Sequence, residues 1–139
     1  TMNIDAITNG IVIDHIPAGG GMKLYELLGL DELDCSVAII KNAHRRKDGK
    51  KDIIKIDSEI ELNFELIGYI APNAKINIIR NGELIEKRSV TLPEVLTNVI
   101  KCKNPRCITS VEQELDHVFC LTDGTEKIYR CLYCETKAN

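Results

Sequence analysis

Four of the six cysteines of this 139-residue chain stand in two short pairs, Cys102-Lys103-Asn104-Pro105-Arg106-Cys107 and Cys131-Leu132-Tyr133-Cys134. Thiolates at such spacings can each span an edge of a tetrahedron from a tight turn while the intervening chain folds back. Disulfides and plain buried thiols are the alternatives, and the two-pair spacing favours a metal, Zn2+. Four thiolates leave a zinc ion no open position, so the expected role is structural and not catalytic. Residues 102–139 fall below the ~40 residues at which a chain buries enough surface to fold unaided. A structural zinc contributes an apparent ~10–16 kcal/mol in small peptides, which offsets the ordering entropy of such a tail. Cys35 and Cys120 fall outside the spacing and are expected to be inert thiols.

Outside the cysteines, the residues able to bind a ligand are polar groups on strand-like segments. Asp14-His15 ends a β-branched run just before Pro17 and Gly19-Gly20-Gly21, where the pair can either cap the strand or point into a ligand. Lys51 and Lys55 lie four apart on one strand and therefore share a face, which Lys87 on a later strand could join. Three ammonium groups together would suit a polyphosphate, although scattered lysines ordinarily form a solvated face and spacing alone favours that. Asn77, alternating with Ile76 and Ile78, could offer its amide to a base; an ordinary surface asparagine is the commoner case. His44 and His117 read as surface residues. No HExxH, GxSxG, GxxxxGK[ST] or GxGxxG pattern occurs, so the chain reads as a binding or regulatory module.

The elements that must hold these groups follow from hydrophobic period and turn chemistry. Residues 11–16 predict a strand, 22–28 a helix capped by Gly29, and 35–41 and 51–57 two further strands; 58–70 fits both strand and helix spacing, and its length and run into Ala71-Pro72 favour a helix. The basic segment 42–50 predicts the loop between the second and third strands. Asn81-Gly82 predicts a tight hairpin between 75–80 and 83–88. Strand, helix, strand, strand, helix, strand, with one strand added, is the order of an α+β ferredoxin-like split βαβ domain. This gives residues 1–91 as a first domain, 92–101 as a connector and 102–139 as a small, mostly β zinc-binding domain. In the connector, Val95, Leu96, Val99 and Ile100 have the spacing of one apolar helical face.

Composition narrows the function classes. A net charge of −3 and a pI near 5.6 give no general attraction for nucleic acid, and the tail after Val99 carries as many acidic as basic residues. A zinc-ribbon nucleic-acid-binding protein is the competing reading, but it needs a basic, aromatic-bearing face. Aromatics make up only 4%, without Trp, so Ile, Leu and Val must build the core. The lack of a signal-like N-terminus and of a long apolar run predicts a soluble, cytoplasmic protein with no membrane partner.

Asp14-His15-Ile16-Pro17-Ala18-Gly19, Lys51-Asp52-Ile53-Ile54-Lys55-Ile56, Ala71-Pro72-Asn73-Ala74-Lys75-Ile76-Asn77, Leu92-Pro93-Glu94 and the cysteine pairs through Glu135 occur in one order. Together they resemble the regulatory chains of aspartate carbamoyltransferase over nearly the whole sequence. The resemblance implies a non-catalytic subunit of pyrimidine biosynthesis. Its first domain would bind ATP, CTP or UTP and pair with its own kind, and its zinc domain would grip the catalytic chain. By the same resemblance Asp14 and His15 are a nucleotide-contacting pair, Lys55 and Lys87 contact phosphate and ribose, and Lys51 assists nearby. Ile7, Val12, Asn77 and Ile79 match positions beside the base, and Cys102, Cys107, Cys131 and Cys134 match the zinc ligands. One departure is Gly82, which stands where the best-known members carry an aromatic residue beside the base.

Overall fold

Isoleucine at every second position builds the first sheet. The computed structural model describes residues 7–44 and 49–138, so Arg45, Arg46, Lys47 and Asp48 of the expected basic loop lie outside the described residues. The chain divides into two compact units, Thr1–Thr91 and Leu92–Asn139. In the first, β1 (Gly10–Pro17), β2 (Val37–His44), β3 (Lys50–Ile56), β4 (Lys75–Arg80) and β5 (Glu83–Ser89) form one antiparallel sheet in the order β2-β3-β1-β4-β5. Helix α1 (Gly21–Leu27) links β1 to β2 across β3, and α2 (Phe64–Ile70) links β3 to β4 across β1. Two interleaved βαβ units of this kind make the ferredoxin-like arrangement, with β5 added at the edge.

The alternation decides which side the helices cover. Ile11, Ile13, Ile54, Ile56 and Ile76 are buried in one cluster with Leu24 of α1 and Ile67 of α2. Fully burying each such side chain is worth roughly 1.5–3 kcal/mol. The intervening residues therefore face away from the helices. α1 ends as expected, with Gly29 in the left-handed region at φ 68°. α2 is shorter than predicted: Asn63 caps it by accepting from the Leu66 N–H at 3.2 Å, and Ile60 and Leu62 are partly buried ahead of the helix. Asn81 and Gly82 both have positive φ, 53° and 77°, which the two-residue hairpin turn requires.

The second unit holds a three-stranded sheet in which β6 (Val95–Thr97) pairs with β7 (Val118–Asp123), and β7 with β8 (Ile128–Cys131). A short α3 (Ile108–Val111) follows the first cysteine pair. The expected helical connector over 92–101 is thus corrected. Leu96 is buried between exposed neighbours on β6, opposite Phe119, and belongs to the core of the second unit. β-strand alternation over three residues outcompeted a helical spacing that four apolar residues also satisfied. Among the described residues, no helix is long and apolar enough to cross a membrane.

Candidate metal centre and ligand face

Strand register collects the candidate ligand residues on the helix-free face of the first sheet. Lys55 of β3 pairs with Val12 of β1, Val12 with Asn77 of β4, and Asn77 with Lys87 of β5, so these four form one row across four strands. Strand spacing puts about 14 Å between the backbones of Lys55 and Lys87. One step along the strands, Asp14 pairs with Lys75 and receives the Lys51 ammonium at 2.9 Å. In the other direction Gly10 pairs with Ile79. A Cβ on Gly10 would fall 2.1 Å from the Ile56 carbonyl and 2.9 Å from Ile7 Cγ2, so the close approach of Ile7 here requires glycine.

Two buried polar atoms of the first unit have no hydrogen-bond partner. Among the described residues, the buried side-chain nitrogens and oxygens left unpaired are His15 Nδ1 and Asn77 Oδ1. His15 Nδ1 lies 3.3 Å from Asp14 Oδ1, but that oxygen accepts instead from the His15 backbone N–H at 2.6 Å. His15 itself has a φ of 59°. A buried unsatisfied polar group costs about 1–3 kcal/mol, so each of these atoms is a position where a hydrogen-bonding partner would be favourable.

In the second unit the four paired cysteines converge as their spacing predicts. Their sulfurs all lie within 4.8 Å of one another, with Cys102 to Cys134 at 3.6 Å and Cys107 to Cys131 at 3.7 Å. These separations are too long for disulfides and close to the about 3.8 Å edge of a tetrahedron with ~2.3 Å metal–sulfur bonds. In the first knuckle the Asn104 carbonyl accepts from the Cys107 N–H at 3.1 Å and from the Ser110 hydroxyl at 2.7 Å. In the second, Glu135 turns through a φ of 64° while its N–H reaches the Cys131 carbonyl at 2.9 Å. Cys35 and Cys120 lie outside the cluster.

Each knuckle adds a hydroxyl two residues past its second cysteine. Thr109 Oγ1 lies 3.1 Å from Cys107 Sγ, and Thr136 Oγ1 lies 3.2 Å from Cys134 Sγ. Hydrogen bonding with Thr136 brings Cys134 down to about 6, and that with Thr109 lowers Cys107, because a hydroxyl beside the sulfur can turn to donate once the thiol has lost its proton. Burial has the opposite effect on the other two thiols, pushing Cys102 up to about 12 and raising Cys131. The signal for these hydroxyls is in the sequence, as the repeated Cys-x-Thr of Cys107-Ile108-Thr109 and Cys134-Glu135-Thr136. His117, expected at the surface, instead accepts from the Cys102 backbone N–H at 3.1 Å, and it is held in turn by Asn98, whose Oδ1 takes the His117 N–H at 2.9 Å. No local sequence signal pointed to that role.

Family models match both units: the allosteric domain of the aspartate carbamoyltransferase regulatory chain over residues 2–91, and its metal binding domain over residues 94–139. The chain belongs to the aspartate carbamoyltransferase regulatory chain family. An aspartate carbamoyltransferase regulatory chain from Clostridium botulinum strain Hall is 49% identical over 134 residues, covering 96% of this chain and 92% of the relative. One from Clostridium tetani is 47% identical over 135 residues, covering 96% and 94%. One from Bifidobacterium longum is 39% identical over 137 residues, covering 99% of each. The chain is thus a regulatory chain of aspartate carbamoyltransferase, with an allosteric domain followed by a metal-binding domain whose four cysteines can hold a metal ion.

Proposed function

We propose that this regulatory chain is a non-catalytic, cytoplasmic subunit that senses nucleoside triphosphates on its first sheet and binds the catalytic chain through a zinc-stabilised second domain. The observation that carries the nucleotide reading is the row Lys55, Val12, Asn77, Lys87, with unpaired atoms on Asn77 and on His15 beside it. Val12, Ile79 and Ile7 supply an apolar floor for a base, and Asn77 Oδ1 accepts from the exocyclic amino group of adenine or cytosine. Lys55 and Lys87 meet phosphate and ribose oxygens at opposite ends of the row. Lys51 holds Asp14, and Asp14 with His15 takes the remaining sugar and phosphate contacts. ATP, CTP and UTP are the effectors proposed, acting as feedback signals on pyrimidine biosynthesis.

Zn2+ fits the second site: four thiols, sulfur separations close to a tetrahedral edge and threonine hydroxyls hydrogen-bonded to two of the sulfurs. Bound there, it neutralises four clustered thiolates and ties the two knuckles together. The exposed Ile108, Val111, Leu132 and Tyr133 are carried on or next to those knuckles and offer an apolar surface to the catalytic chain. A second copy of the first domain completes the regulatory dimer.

Calorimetry on the zinc-loaded chain tests the nucleotide reading. Lys55→Ala and Lys87→Ala are each expected to weaken triphosphate binding by one to two decades, since a charge-assisted hydrogen bond is worth ~1.5–3 kcal/mol. Wild-type affinity in both variants would return these lysines to a solvated face.

A further inference from the structure

Asp52 is a fully buried carboxylate that forms no ion pair with a lysine or arginine among the described residues, and it sits where two irregular strands flank β3. Between the pairs Ile13–Ile54 and Ile16–Asp52, β1 carries one extra residue; between Ile40–Ile53 and Ala43–Lys51, β2 does too. Each bulge contains a residue in the left-handed region, His15 at φ 59° and Asn42 at φ 58°. An extra residue leaves a ladder locally unpaired, so its position must be set from outside the ladder. One carboxylate serves both sides. Oδ2 accepts from the backbone N–H groups of Gly19 at 3.0 Å and Gly21 at 2.9 Å, and Oδ1 from that of Asn42 at 3.0 Å. Gly21 has no room for a side chain against it, since a Cβ there would lie 2.9 Å from Oδ2.

We infer that Asp52 is a positioning residue for the nucleotide face: by fixing the bend after Pro17 it sets the bulge that presents Asp14 and His15. The inference rests on the nucleotide reading above. Asp52 points to the helix side, with Ile54 and Ile56, and so touches no ligand on the opposite face; its effect passes through backbone alone. Replacing it by asparagine puts an NH2 group opposite at least one of three N–H donors, whichever way the amide turns.

The test is calorimetric titration of the full, zinc-loaded chain with ATP and with CTP, in a cycle of Asp52→Asn and His15→Ala. Asp52→Asn is expected to lower affinity about tenfold in the wild-type background and less than about twofold where His15 is already alanine, as groups acting through one another do. On top of Lys87→Ala, at the far end of the row, it should keep its full effect. Wild-type affinity in Asp52→Asn, or an undiminished loss on top of His15→Ala, would overturn the inference, the latter by showing that Asp52 acts on the fold at large. Absence of triphosphate binding by the wild-type chain would instead overturn the nucleotide reading itself. Should Asp52→Asn fail to fold, Gly21→Ala, which crowds the same carboxylate, goes through the same cycle with the same expected pattern.

Discussion

A thiolate that ligates a metal competes with protons, and the hydroxyl beside it decides at what pH it loses. Thr136 holds Cys134 at about 6 where an unperturbed thiol stands at 9.0. Because the folded value lies below the unfolded one, this group's contribution to the metal-free fold is complete above about pH 9 and is lost as pH falls through about 6. In Thr136→Val the thiol moves back upward, so acid should displace the metal at higher pH than in the wild type, and metal affinity should fall about 10–100-fold. A zinc-release titration against pH with a colorimetric chelator reads both. Cys107→Ala should abolish stoichiometric zinc, whereas Cys120→Ala should keep about one ion per chain, and loss of zinc from the Cys120 variant would refute the ligand assignment. The four cysteines were legible because their spacing is itself the geometry. The threonines and His117 act through hydrogen bonds whose partners come together only in the fold.

Among the elements, the sequence failed where two periodicities overlapped or where a cap outweighed a pattern. Ile60, Leu62, Phe64, Leu66 and Ile67 satisfy helix and strand spacing together, and the helix starts only where Asn63 supplies an acceptor for its free N–H groups. Asn63→Ala should therefore cost the first domain about 1 kcal/mol in denaturant unfolding. The stretch Val95–Thr97 satisfies helical spacing locally, but its pairing with Val118–Cys120, distant in sequence, makes it a strand. Leu96→Ala leaves a cavity in the core of the small domain and should destabilise it by ~2–5 kcal/mol, visible as a lower thermal midpoint and easier loss of zinc. The hairpin at Asn81-Gly82 and the end of α1 at Gly29 were legible, since each needs a positive φ that the residue types announce.

For the whole molecule, a division into two units implies that metal and nucleotide can be separated by experiment. Chelation of zinc in the full chain should abolish its association with the catalytic chain in size exclusion while changing calorimetric triphosphate affinity less than about twofold; parallel loss of both would show that the first domain depends on the second. The split βαβ order was readable from element succession, but the common row of Lys55, Asn77 and Lys87 was not, because register between distant strands is fixed by packing and bulges. The same order has a consequence for how the chain is made. β1 is the middle strand, yet it leaves the ribosome first, and its partners are β3 and the still later β4. Ile11, Ile13 and Ile16 must therefore wait for both neighbours, while β2 with β3 and β4 with β5 can zip locally. In a pulse of hydrogen exchange during refolding, amides of β1 should stay open after those of the β4–β5 hairpin have closed. That interval, when three isoleucines stand uncovered before their partner strands arrive, is when this protein is most open to aggregation.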